Sequence, residues 1–132
     1  MPFECVELTI PGRPVPAARM RIRSTVLDPR KRKYLAYKDQ VHSAARAAGI
    51  QPFPSDVDLA VSIRVYIANL PGNWDNYAQA VCDGLEGAAF TEQRQVKRGA
   101  VVLLQAGKGC ERAEVTITPL KAGRMIGDAA DR

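Results

Sequence analysis

Between Leu59 and Ile67 every second residue is a large aliphatic one: Leu59, Val61, Ile63, Val65 and Ile67 alternate with Ala60, Ser62, Arg64 and Tyr66. Side chains on an extended chain point alternately to opposite faces, so a period of two dictates a strand with one buried face. Such a strand needs neighbours along its edges and a layer over its apolar side. The chain supplies both. Val6, Leu8 and Ile10 alternate with Glu7 and Thr9 up to Pro11-Gly12, which predicts an opening strand. Two further strands are predicted over 99–105 and 111–119, the latter with Val115 and Ile117 against Glu114, Thr116 and Thr118, joined as a hairpin through Gly107-Lys108-Gly109.

Two segments carry the helical period instead. Tyr37, Val41, Ala44, Ala45 and Ala48 form an apolar stripe that predicts a helix over 35–48, with Gly49 at its C-cap, and Asp28-Pro29 offers an earlier cap and first residue. The second helix begins at Asn73 or Asp75 and runs to about Gly87. Its Ala78, Val81, Cys82 and Leu85 fall at i, i+3, i+4, i+7, while Asp75, Gln79, Asp83 and Glu86 recur on the opposite stripe. One face packs and the other is free for chemistry. The order is therefore β-α-β-α-β-β, an α/β fold with a mixed β-sheet and helices packed on the sheet. A single domain over 1–120 is expected, followed by a flexible tail over 121–132 that is polar and rich in Gly and Ala.

Charge is unevenly placed. Nineteen Lys and Arg stand against fourteen Asp and Glu, a net +5. The stretch from Arg13 to Lys38 alone holds Arg13, Arg19, Arg21, Arg23, Arg30, Lys31, Arg32, Lys33 and Lys38 against one acid, Asp28. A field of that kind attracts polyanions and makes association sensitive to salt. From 13 to 33 neither period is visible, so a long irregular basic loop is expected there. Cys5, Cys82 and Cys110 form no Cys-x-x-Cys pair, which suggests neither a disulfide framework nor a zinc site, and Cys82 reads as a small core residue. No signal-like N-terminus and no apolar run of membrane-spanning length is present, so a cytoplasmic protein with no membrane partner is expected. His42 is the one histidine, which leaves almost no material for Ser-His or Cys-His catalysis. Chemistry here must run on carboxylates with a metal, or on lysine. Trp74 is expected to pack beneath the start of the second helix. Tyr34 and Tyr37 stand among lysines, where they can stack on bases or pack, and Tyr37 lies on the apolar stripe.

The arrangement Pro14-Val15-Pro16 with Arg19 and Arg21, then a strand, then Asp75-Asn76 opening a helix with Asp83-Gly84-Leu85 and Gly87, then Gln95-Val96, resembles the RusA family of Holliday junction resolvases. The resemblance covers most of the chain, from about Leu8 to Leu120. It implies a homodimeric, magnesium-dependent endonuclease, with manganese as an alternative ion and no small-molecule cofactor. Its partner would be branched DNA, nicked symmetrically in DNA recombination and repair. The resemblance places the catalytic positions at Asn73, Asp75, Gln79, Asp83, Glu92 and Gln93. It assigns metal ligation to Asp75, Glu92 and Asn73, and DNA binding to Arg19, Arg21, Arg23, Lys31, Arg32 and Lys33.

Three of those positions depart from the family pattern. The helix there opens Asp-x-Asp-Asn, whereas the first aspartate is replaced here by Asn73. The family's lysine one turn into the helix falls on Gln79, and its Asp-Asp-x-Gln-Val segment falls on Glu92-Gln93-Arg94-Gln95-Val96. The lysine usual after Pro-x-Pro is also replaced, near Ala17. Two formal negative charges and one cation are thus removed from the implied site. A group stabilising charge on a reacting phosphate is worth roughly 3 kcal/mol in comparable roles, so strongly reduced turnover is expected. Removing acids beside phosphates also reduces like-charge repulsion, so binding need not fall with cutting. The replacements leave open a working nuclease with a weakened site, a catalytically silent relative that still grips branched DNA, and a form inactivated on purpose.

Overall fold

The computed structural model describes residues 4–18, 28–70 and 72–120. Its elements are β1 (Val6–Pro11), α1 (Pro29–Ala47), β2 (Leu59–Ile67), α2 (Trp74–Leu85), β3 (Val96–Gln105) and β4 (Arg112–Pro119), in the β-α-β-α-β-β order that the periodicities predict. The strands form one mixed sheet in the order β1-β4-β2-β3, with β2 and β3 parallel and β4 antiparallel to both its neighbours. From β1 to β2 and from β2 to β3 the chain steps across the sheet in the same sense. Right-handed crossovers then put both helices on one face. The alternate residues Leu59, Val61, Ile63, Val65 and Ile67 are accordingly buried beneath α1 and α2 with Ile10, Val115, Ile117 and Phe90.

Alternation predicts faces well and neighbours poorly. The segment through Gly107-Lys108-Gly109 does not make a hairpin, because β3 and β4 lie on opposite sides of β2. The connection instead passes over the end of β2, where Ala106 N–H donates to the Ile67 carbonyl at 3.2 Å, and continues through the 3-10 turn Lys108–Cys110. The sheet face away from the helices carries the intervening polar residues. There Glu114 accepts from Arg112 at 2.7 Å and from Arg64 at 3.2 Å, and the Arg112 guanidinium lies 3.8 Å from the Tyr66 ring centre. The two guanidinium groups hold the Glu114 carboxyl below the usual carboxylate range.

α1 begins six residues before the predicted Leu35. Asp28 caps it, accepting from Arg30 N–H at 2.9 Å, and Pro29 occupies the first turn, where a missing N–H costs nothing. The predicted basic loop therefore ends sooner, and Lys31, Arg32 and Lys33 are helical. The stripe extends further toward the N-terminus than the apolar residues predict, because its first member is a lysine. Lys31, Tyr34, Tyr37, Val41 and Ala45 form one buried line, with the aliphatic stem of Lys31 serving where an apolar residue is expected. Tyr37 packs as its place on the stripe predicts, and burial raises its hydroxyl pKa. Among the described residues no helix is long and apolar enough to cross a membrane. Arg19, Arg21 and Arg23 and the tail over 121–132 lie outside the described residues.

α1 and α2 cross at Gly84. A Cβ at that position would lie 2.6 Å from Val41 Cβ and 2.7 Å from the Lys38 carbonyl oxygen, distances that no side chain tolerates. The helices approach this closely only because Gly84 has no side chain. His42 reinforces the crossing with a ring N–H directed at the Gly84 carbonyl, 3.1 Å away. Gly84→Ala should therefore lower unfolding free energy in urea by about 1–3 kcal/mol as the helices are forced apart. Gly99→Ala, at a position with nothing within 4 Å, should stay within about 0.5 kcal/mol of the parent. Equal midpoints for the two variants would contradict this crossing.

Candidate functional site

Seating Gly84 and Leu85 against α1 and the sheet turns the other stripe of α2 outward. Asp83, next to Gly84, consequently reaches the side of α1, where the Tyr34 hydroxyl donates to its Oδ2. Its Oδ1 accepts two further bonds, from Gln79 Nε2 at 2.6 Å and from Gln93 Nε2 at 2.7 Å. Gln79 is one turn earlier on α2, and Gln93 arrives from the 3-10 turn Gln93–Gln95 that leads into β3. The two amides are also bonded to each other, Gln79 Nε2 to Gln93 Oε1 at 3.2 Å. A hydrogen bond to a charged acceptor contributes roughly 1.5–3 kcal/mol when shielded and less near solvent. Burial and the Asp83 carboxylate both raise the Tyr34 pKa, which keeps that hydroxyl a donor. Tyr34 is thus a buried partner of Asp83 rather than a platform for a base. Its place in the Lys31–Ala45 stripe was the signal for this.

The turn that delivers Gln93 is fixed from beneath by Gln95. This side chain is buried and fully bonded: Oε1 accepts from Thr91 and Glu92 N–H, both at 2.8 Å, and Nε2 donates to the Pro54 carbonyl at 2.7 Å and the Val57 carbonyl at 2.9 Å. The Gln-Val pair of the sequence pattern therefore has a structural reason. An amide alone supplies two acceptor sites and two donors at one position.

Four of the six implied catalytic positions adjoin one another: Gln79 and Gln93 both bond Asp83 and share a cleft with Asp75. Asp75 lies in the first turn of α2 and lines a cleft of about 230 Å³ with Trp74, Ala78, Gln79, Cys82, Gln93 and Val96. Glu92 is turned to Arg94, whose Nε and one terminal nitrogen donate to its two oxygens at 2.8 and 3.2 Å. That guanidinium holds the Glu92 carboxyl below its ordinary range. Asn73, the N-cap residue of α2, makes no side-chain cap bond and faces a different groove.

That groove, about 680 Å³, runs between Val15–Ala18 and the N-terminal ends of both helices, and its lining includes Arg30, Lys31, Lys33, Asn73 and Asn76. Ala17 N–H donates to the Asn76 carbonyl at 2.9 Å, tying its outer wall to α2. Arg13 is used differently. It pairs with the nearly buried Glu111, which also accepts from Ala68 N–H at 2.8 Å, so the pair fastens the segment after β1 to the end of β2. Arg32 is exposed beside the groove without lining it.

Trp74 does not pack beneath α2. It is 62% exposed and stands at the lip of an apolar channel of about 710 Å³ between α2 and β3, lined also by Ala78, Cys82, Val96, Val101 and Leu103. Burial pushes the Cys82 thiol up to about 11, consistent with a packing role.

Magnesium needs hard oxygen ligands with free lone pairs directed at one centre. The groups meeting at Asp83 do not fit that need, since its two oxygens face one O–H and two N–H donors. Glu92 is engaged with Arg94, and among the described residues no group of three or more His, Cys, Asp or Glu side chains is placed to hold a metal ion.

In comparisons with known proteins, the family model for Endodeoxyribonuclease RusA matches residues 11–118. No curated protein matches the chain. The matched span runs from the end of β1 to the end of β4, enclosing both helices, the basic groove and the Asp83 cluster. On a match of that extent, the chain belongs to the RusA family of endodeoxyribonucleases.

Proposed function

We propose that this protein binds four-way DNA junctions as a homodimer, and that its capacity to hydrolyse them is strongly reduced. The observation that carries the reading is the basic groove of Arg30, Lys31 and Lys33, which opens beside the N-terminal turn of α2 in a chain of the RusA family. A phosphate backbone in the groove meets these cations and the positive end of the α2 dipole. Asn73 supports that path by presenting a neutral amide where an aspartate would repel the strand. Arg19, Arg21 and Arg23 belong to the same basic segment of sequence and add to the charge available for DNA in this reading.

A strand leaving the groove over Asn73 reaches the Asp75 cleft. There Asp75 supplies a carboxylate that can orient water or accept a proton, but the neighbouring positions offer Gln79 and Gln93, which are neutral. Neither can neutralise charge developing on a phosphate, and that loss is what reduces turnover.

A four-way junction has approximate two-fold symmetry, which a two-fold dimer matches most simply. The surface that supports a dimer is the apolar channel beside β3. That strand is at the sheet edge, so it offers unpaired backbone groups alongside Trp74, Val101 and Leu103. A second copy seated there would cover the largest exposed side chain of the molecule.

Two assays check this reading. In gel shifts at rising salt, a four-way junction should be retained at concentrations where linear duplex with the same arms is not. Arg30→Ala with Lys33→Ala should flatten the log-log salt slope by about 1.8, the loss of two phosphate contacts. Equal retention of both DNAs, or an unchanged slope, would refute it. In a nicking assay with magnesium, Asn73→Asp, Gln79→Lys and Gln93→Asp together should raise junction cleavage by orders of magnitude. A triple variant that cuts no better than the parent would place the chemistry elsewhere.

A further inference from the structure

The donors around Asp83 come from three separate pieces of the fold. Tyr34 belongs to α1, Gln79 to α2 and Gln93 to the 3-10 turn before β3. A shared cation would join the same three pieces, but it would do so through oxygen lone pairs. Here the contact atoms are protons on nitrogen and oxygen, and they already occupy most of the lone pairs of one carboxylate.

From this geometry we infer that a hydrogen-bond network centred on Asp83 has taken over the structural role of a divalent cation, so that the folded protein neither holds nor needs one at this face. The chemistry of the amides explains why both arrangements cannot coexist. To admit an ion, Gln79 and Gln93 must each rotate to direct Oε1 inward. That rotation gives up two charge-assisted bonds, at 2.6 and 2.7 Å, and sets three oxygens against one another until the ion arrives. Gln93 is also held by Glu86, whose Oε2 accepts from its backbone N–H at 3.3 Å and whose Oε1 accepts from its Nε2 at 3.5 Å. The turn that carries Gln93 rests on Gln95, whose four buried bonds fix the backbone from which the amide reaches Asp83. The inference rests on this geometry and does not require the junction-binding reading.

The same network specifies how to undo it. Replacing the two amides by carboxylates keeps shape while exchanging each inward N–H donor for an anionic oxygen. Gln79→Glu with Gln93→Glu would surround Asp83 with two more negative charges, an arrangement that is unfavourable alone and favourable around an ion.

The test uses the full chain and manganese as the probe, read by its paramagnetic resonance signal and by thermal unfolding. For the parent, the signal of free manganese should persist in the presence of protein, and the unfolding midpoint should be the same in chelator and in excess manganese. The double variant should unfold at a lower temperature in chelator and recover with manganese, binding the ion roughly tenfold or more tightly than the parent. Uptake of one manganese per parent chain with a rise in its midpoint would overturn the inference. So would a double variant whose midpoint is indifferent to both chelator and metal. If the double variant does not fold, the parent measurements decide alone, with Gln93→Glu as the milder substitution carrying the same expectation.

Discussion

The close crossing of α1 and α2 at Gly84 is the constraint on which the functional face depends. With 2.6 Å between an added Cβ and Val41, the rotation of α2 about its axis is fixed to one setting. That setting buries Tyr77, Val81 and Leu85 and turns Asp75, Gln79 and Asp83 outward on one side. It also brings Asp83 within reach of Tyr34, a residue on the adjoining helix far away in sequence. Packing at one residue thereby positions the polar group at the next.

Around that face the charges are sorted by element. Cations collect at the helix N-termini, where Arg30, Lys31 and Lys33 line the groove with Asn73 and Asn76. The two acids of α2 are Asp75 in its first turn and Asp83 near its C-terminal end, the latter bonded by the neutral amides of Gln79 and Gln93. An arrangement of this kind favours a polyanion in the groove, since few carboxylates oppose it, and provides little to stabilise a transition state in the cleft. In the proposed function, grip and chemistry depend on different residues, so that one persists as the other declines.

Much of this was legible in the sequence. The alternation at Leu59–Ile67 and the i, i+3, i+4, i+7 stripe of Ala78, Val81, Cys82 and Leu85 specify the central strand and the orientation of α2 because each period reports which side of an element meets the core. Strand adjacency was not legible, since alternation says nothing about which edges pair, and the turn at Gly107-Lys108-Gly109 suggested a hairpin that β2 in fact separates. The start of α1 was obscured by Lys31, a charged residue whose stem is buried. Trp74 was misplaced because an aromatic side chain gives no hint of whether its surface is covered by its own chain. At the site, the residue types identified the positions to examine, but the bonds among them depend on side-chain rotamers set by packing. Glu92, for example, turns to a neighbour two residues away, Arg94.

The most direct measurement of the central claim is the nuclear magnetic resonance signature of the Gln79 and Gln93 side-chain amides. If these groups donate to Asp83, their inward protons should resonate downfield of free glutamine amides and exchange slowly with water. They should also be unmoved by added magnesium, and Asp83→Ala should abolish both effects. Amide signals that resemble free glutamine in the parent, or that shift when magnesium is added, would contradict a face held together by neutral donors around the Asp83 carboxylate.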